Sequence, residues 1–178
     1  MFSFISSLFF NKEKEEFKVY QSDNSEEVKV KNIAISYRPK LIKNCKNEHQ
    51  ILLGLYGKIS SSLDNEEPEI ILEHVKNFES QLMSHIRIEN QYLYPYLKDY
   101  NSDSKNSEDL VPYVQDMQQS ILPIVRTFRE TMEKYNDKNL KSKRVRADLK
   151  KNLEAIAEVV VKRIEKEETH LYTLYKGD

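Results

Sequence analysis

The sequence predicts an all-α protein, an up-down-up-down four-helix bundle behind an N-terminal arm, and three observations lead there. From Pro39 onward apolar residues recur at alternating spacings of three and four in four long stretches, the period of a helix that turns one face inward. Polar gaps separate these stretches at Ser61 to Glu67, Tyr100 to Ser107 and Asn136 to Lys143. Helices of about 25 to 30 residues joined by such short connections pack best as antiparallel neighbours.

The chain divides into residues 1–37, an apolar segment followed by a polar arm, and residues 38–178, the bundle. The opening Met1 to Phe10, MFSFISSLFF, is far shorter than the roughly 20 residues that span a bilayer, and it lacks a basic start or a small-residue cleavage site. It reads as a segment packed on the domain or as a Phe-rich docking arm. Asn11 to Lys31 has little periodicity, and Val28, Val30, Ile33 and Ile35 suit a short extended piece.

The first helix, Pro39 to Leu63, carries Ile42, Cys45, His49, Leu52, Tyr56, Ile59 and Leu63 on one stripe. The second, Pro68 to Lys98, carries Ile71, Val75, Phe78, Leu82, His85, Glu89, Tyr92 and Tyr96, so a histidine and a carboxylate share the inward face one turn apart. The third, Asp109 to Tyr135, carries Val114, Gln118, Ile121, Val125, Phe128, Met132 and Tyr135, with a kink expected at Pro123. The fourth, Val145 to Tyr175, carries Leu149, Leu153, Ile156, Val160, Arg163, Glu167, His170 and Leu174.

Composition removes several function classes. The 178 residues hold 28 Lys+Arg against 29 Asp+Glu, a net charge of −1, so no basic field draws nucleic acid. With 3 glycines and neither GxGxxG, Walker A nor GxSxG patterns, phosphate-binding loops and serine hydrolases drop out. One cysteine, Cys45, permits no internal disulfide and no Cys-based zinc motif, as expected for a protein of the reducing cytoplasm.

What remains is a polar layer. His49, His85, Glu89, Gln118, Arg163 and Glu167 all fall on inward stripes, and in an antiparallel bundle their heights coincide. Burying such groups unpaired costs several kcal/mol, so they must answer one another or an ion. Histidine and carboxylate at i, i+4 on facing helices is how bundles build carboxylate-bridged metal sites. His74 reads as a partly exposed surface histidine, and His170 as a helix-end histidine on the dipole. Cys45 and the tyrosines Tyr92, Tyr94 and Tyr96 read as packing groups. The run KSKRVR reads as a solvated face that could meet an acidic partner.

HIRIENQYLYPYL, from His85 to Leu97, resembles the second-helix signature of the hemerythrin-like, or HHE cation-binding, family. NEHQILLGLYGKI resembles that family's first-helix histidine with its apolar run, and RIEKEETHLYTLY its fourth helix. The resemblance covers about Pro39 to Tyr175. It implies a bacterial-type four-helix bundle with a non-haem di-iron centre used for oxygen binding or for nitric oxide or iron-related sensing and repair; for this chain the expectation is oxygen, nitric oxide or redox binding or sensing, with no turnover chemistry. Carried over residue by residue, it makes His49, His85, Glu89 and Glu167 metal ligands, for iron or for manganese or zinc.

Two positions depart from the family's pattern. Gln118 or Gln119 stands at the third-helix histidine, and Arg163 at the fourth-helix histidine. Arg163 has no lone pair to offer a metal. It either pairs with Glu89 or Glu167 in place of an ion or swings outward from a mononuclear site. The site is expected to be degenerate, with metal at low occupancy or absent. Arg163, Glu167 and Glu168 also resemble the last helix of the Rsd/AlgQ regulators, which sequester the primary sigma factor of RNA polymerase. That likeness implies the alternative function, a metal-free bundle that regulates a protein partner.

Overall fold

The computed structural model describes residues 35–102 and 107–176, with side chains for all of these but 101, 102 and 107–109. Residues 1–34, which include the Phe-rich start and most of the expected extended piece, lie outside the described residues, as does the middle of the gap from Tyr100 to Ser107. Every regular element among the described residues is helical. No helix among them is long and apolar enough to cross a membrane.

Four rods carry the fold. The first is α1, Leu41–Asn65, which buries Cys45, His49, Leu52, Ile59 and Leu63 of the expected stripe, leaves its Ile42 and Tyr56 half-buried, and buries Leu41 as well. The second begins with α2, Pro68–Ile88, where Pro68 takes the first helical position behind an extended Glu67 and loses no hydrogen bond there. It continues through a π-helical turn, Glu89–Leu93, into α3, Tyr94–Ser102.

The third rod is broken into α4, Ser107–Gln119, and α5, Ile121–Met132. The break falls at Ser120, just ahead of Pro123, whose ring cannot pass the carbonyl of Gln119 and has no N–H to offer it. The expected kink is thus an interruption of one residue, Ser120, whose backbone stays in the helical region and still donates to the Asp116 carbonyl at 2.9 Å. The fourth rod is α6, Lys143–Lys166, followed by a second π-helical turn, Glu167–Leu171, and a 3₁₀ turn, Tyr172–Leu174.

The connection before α6 is tied down from both sides. Asn136 Oδ1 accepts the backbone N–H of Lys138 and of Asn139, each at 3.0 Å, and Leu140 plugs into the core with no exposure. Arg146 donates to the carbonyls of Leu140 at 2.5 Å and Glu66 at 2.7 Å. The guanidinium at the end of the KSKRVR run thus joins two connections of the bundle, while Lys141 to Arg144 are exposed.

Two apolar clusters fill the interior. One holds Leu52, Ile71, Phe78, Leu82, Ile86, Ile121, Phe128, Leu149 and Val160, and the other holds Leu41, Cys45, Leu93, Tyr94, Leu97, Val114, Met117, Leu171 and Tyr172. His49, Glu89, Arg163 and Glu167 fall along the rods between the buried residues of one cluster and those of the other, and His85 falls beside Ile86 at the end of the Phe78 cluster.

Both π-helical turns shift the inward face by one residue. In a regular helix Tyr92 and Tyr96 follow Glu89 on its stripe. The turn buries Leu93 and Tyr94 instead, leaves Tyr92 half-buried, and then buries Tyr96 and Leu97. On the fourth rod Leu171, Tyr172 and Tyr175 are buried, Leu174 is half-buried and His170 is exposed. His170 and Leu174, expected on the core stripe, are displaced by that extra residue.

Candidate metal centre

The polar layer predicted from the stripes exists, and five of its six members meet. His49 comes from the middle of α1, His85 from the last turn of α2, and Glu89 opens the first π-helical turn. Arg163 comes from the last turn of α6, and Glu167 opens the second π-helical turn. Their exposures are 0% for His49, 4% for His85, 2% for Glu89, 8% for Arg163 and 1% for Glu167, so water does not compensate their charges.

Gln118 does not join them. It is half-buried, donates to Asn90 Oδ1 at 2.8 Å and accepts from Lys98 Nζ at 2.6 Å. A neutral amide finds partners on the flank of the second rod, so it has no need of the layer. Gln119 is exposed. The third rod thus supplies no ligand side chain among these residues.

The two imidazoles face each other, with His49 Nε2 at 3.2 Å from His85 Nε2. Their outer nitrogens are both engaged by carboxylates: His49 Nδ1 lies 2.8 Å from Glu168 Oε1, and His85 Nδ1 lies 2.9 Å from Glu48 Oε2. An ionised carboxylate only accepts, so each Nδ1 must carry the hydrogen. The two Nε2 atoms are then left facing one another, with Glu167 Oε2 also beside that of His49, an arrangement that calls for a cation or for a second hydrogen on one ring. Carboxylates that hold the outer nitrogen are also what fixes a ligating histidine in its tautomer.

Glu167 Oε2 lies 3.2 Å from His49 Nε2, and Glu89 Oε1 lies 3.7 Å from His85 Nε2. One donor atom from each of His49, His85, Glu89 and Glu167 falls within 4.8 Å of the other three. Tyr172 closes the set: its hydroxyl donates to Glu89 Oε1 at 2.7 Å and stands 3.2 Å from His49 Nε2.

Arg163 is inside, beside Glu167 and Glu89, the first of the two arrangements expected for it, and does not swing outward. Its Nη2 lies 2.7 Å from Glu167 Oε1, 3.8 Å from Glu89 Oε2 and 2.9 Å from the Tyr94 hydroxyl. Nη1 donates to the Met117 carbonyl at 2.7 Å and to Ser120 Oγ at 2.5 Å, at the break in the third rod. The contact with Glu167 is one of charge, because no donor is aligned on Oε1 for a hydrogen bond.

Titration follows from burial and from these neighbours. Burial pushes the Glu89 carboxyl up, the charge of Glu167 adds to it, and His85, Arg163 and Tyr172 pull it partly back. For His49 burial pulls down, but the hydrogen bonds to Glu167 and Glu168 prevail and leave it above the usual imidazole range. The Tyr172 and Tyr94 phenols are pushed far up by burial and by the carboxylates, so both remain hydrogen donors.

A near-repeat in the chain underlies the layer and was missed from the stripes. His85, Glu89, Leu93 and Tyr94 stand at the same spacing as Arg163, Glu167, Leu171 and Tyr172. Each glutamate opens a π-helical turn, and each tyrosine crosses to the other motif, Tyr94 to Arg163 and Tyr172 to Glu89. Sequence reasoning also passed over Glu48 and took Glu168 only as part of an acidic pair. A glutamate directly before His49 and another directly after Glu167 were the available signals.

A helical protein with a dry cluster of two histidines and two glutamates is one whose core could hold a metal ion. The family model of the Hemerythrin HHE cation binding domain matches residues 40–175, and the chain belongs to that family. Neither a curated protein nor a solved structure matches it.

Proposed function

We propose that this protein binds and senses, without turnover, through one metal ion held by His49, His85, Glu89 and Glu167. The single observation that carries this reading is the pair of facing Nε2 atoms 3.2 Å apart, with both Nδ1 atoms committed to carboxylates. Iron is the ion the family implies, and imidazole with carboxylate also suits manganese and zinc. Charge supports it: Glu89 and Glu167 are buried beside a single guanidinium, so a divalent cation relieves the excess.

The bundle order fits as well. Along the first and third rods the chain passes from the Tyr94 cluster to the Phe78 cluster, and along the second and fourth it returns, as an up-down-up-down arrangement requires. Beside the histidines lies a cavity of ≈ 10 Å³, room for about one water-sized molecule, walled by Leu52, Leu82, Ile86, Ile121 and Val160. The same space is lined on its other side by His49, His85, Glu89, Arg163 and Glu167, and a diatomic such as oxygen or nitric oxide, larger than water, needs more room than it offers. Bound iron would supply reversible ligand binding or a one-electron change. The residues hold the ion, orient it and keep water out. The lone, deeply buried Cys45 agrees with a reducing, cytoplasmic setting.

The test is metal content and titration of the untagged full chain with Fe(II), Mn(II) and Zn(II). Uptake that is lost in His85→Ala and Glu167→Ala is the expected result. A wild-type chain that takes up none of these ions overturns the reading and returns the bundle to the alternative, a partner-binding regulator neutralised by Arg163.

A further inference from the structure

The two buried carboxylates divide their oxygens between two places. Glu89 Oε1 and Glu167 Oε2 face the histidines, at 3.7 Å from His85 Nε2 and 3.2 Å from His49 Nε2. Glu89 Oε2 and Glu167 Oε1 face Arg163 Nη2, at 3.8 Å and 2.7 Å. A carboxylate that bridges two cations presents one oxygen to each, and here both carboxylates do so at once. One place is ringed by lone pairs. The other is filled by a nitrogen that carries positive charge and no lone pair.

The filling is built in. Arg163 is held from the third rod by the Met117 carbonyl and Ser120 Oγ and from the second by the Tyr94 hydroxyl, so its position does not depend on the carboxylates alone. The near-repeat gives the same result. Arg163 occupies the fourth-rod position that corresponds to His85 on the second, four residues ahead of its glutamate. A histidine there would offer an imidazole to the second place; an arginine occupies that place itself.

We infer that the guanidinium of Arg163 is a permanent second cation of the cluster, bridged to the first position by Glu89 and Glu167, so that the chain takes one metal ion and never a pair. The inference rests on the metal-binding reading above and deepens it. The cluster is a mixed one, a metal ion beside a fixed organic cation. The guanidinium also neutralises part of the carboxylate charge before any metal arrives, which lets the layer fold in the metal-free chain.

The experiment is native mass spectrometry and equilibrium dialysis of the full chain with Mn(II) and Zn(II), joined to low-temperature EPR of the manganese form. Wild type is expected to saturate at one ion and to give the six-line spectrum of an isolated Mn(II). Arg163→His is expected to double the bound ratio and to broaden that spectrum by coupling between neighbouring ions. Arg163→Met keeps the length and removes the charge. Its melting temperature should fall, and metal beyond the first equivalent should restore it, as it does not in wild type. Two ions in the wild-type cluster, or no second ion in either variant when each retains its helical circular dichroism, overturns the inference and leaves the single-ion reading standing. No ion in wild type removes the reading on which both depend.

Discussion

Tyr172 on the fourth rod donates its hydroxyl hydrogen to Glu89 Oε1 on the second across 2.7 Å. Glu89 is 2% exposed, so no water replaces that donor if it is lost. Tyr172→Phe keeps the ring packed and deletes one hydrogen bond to a buried carboxylate, which typically costs about 1–3 kcal/mol. Urea unfolding of the metal-free protein should show a loss of that size. Because the donor also orients a candidate ligand, metal affinity should weaken about 10-fold. Unchanged stability and unchanged affinity together would mean that Glu89 is held by other means.

Glu48 and Glu168 hold the outer nitrogens of His85 and His49 at 2.9 Å and 2.8 Å, and neither belongs to the inner set of donors. Glu48→Gln and Glu168→Gln preserve size and remove the charge that fixes each imidazole with its hydrogen on Nδ1. Loss of such outer partners commonly costs about 10–100-fold in metal affinity. Competition with a coloured chelator measures it, and helical content should not change. Equal affinity in both variants would show that tautomer control by these carboxylates is unimportant.

The rods were legible because their stripes are long and their gaps polar: Leu52, Ile59, Leu149 and Leu153 fall where the helical period puts them, and all are buried. His49, His85, Glu89 and Glu167 were legible for the same reason, as polar interruptions of an apolar seam. The π-helical turns were not. In YLYPYL, apolar side chains stand at both phases, so a regular helix with Tyr92 inward and a widened one with Leu93 and Tyr94 inward read alike. Gln118 shows the opposite failure, since it sits on the stripe yet satisfies its amide on Asn90 and Lys98. Glu48 and Glu168 lie off the stripe and act only across helices, which no single-helix pattern reports.

Leu149 is fully buried in the Phe78 cluster on the fourth rod, away from the polar layer. Leu149→Ala should therefore cost about 2–5 kcal/mol through lost burial and the cavity left behind. Val159, on the same helix but 49% exposed, provides the contrast: Val159→Ala should stay within about 0.5 kcal/mol of wild type. Thermal and urea unfolding of the pair measure the difference. A small effect at Leu149 would mean that the rods repack freely around that position.

Cys45 has no exposure, and burial first, with the charges of Glu89 and Glu48 after it, pushes its thiol from 9.0 up to about 12. The sign follows from which form the fold disfavours. The unfolded chain ionises the thiol near its ordinary value while the folded chain keeps it protonated, so this group's contribution to stability is complete below about pH 9 and is lost as pH rises toward 12. Only the thiolate reacts readily with an alkylating reagent. At pH 8 iodoacetamide should leave the native protein unmodified for as long as it remains folded, and should label Cys45 promptly in urea. Labelling followed by mass spectrometry across pH 7 to 10 measures this. Rapid modification of the folded chain at pH 8 would place Cys45 in contact with solvent and would breach the dry end of the cluster that surrounds Tyr172.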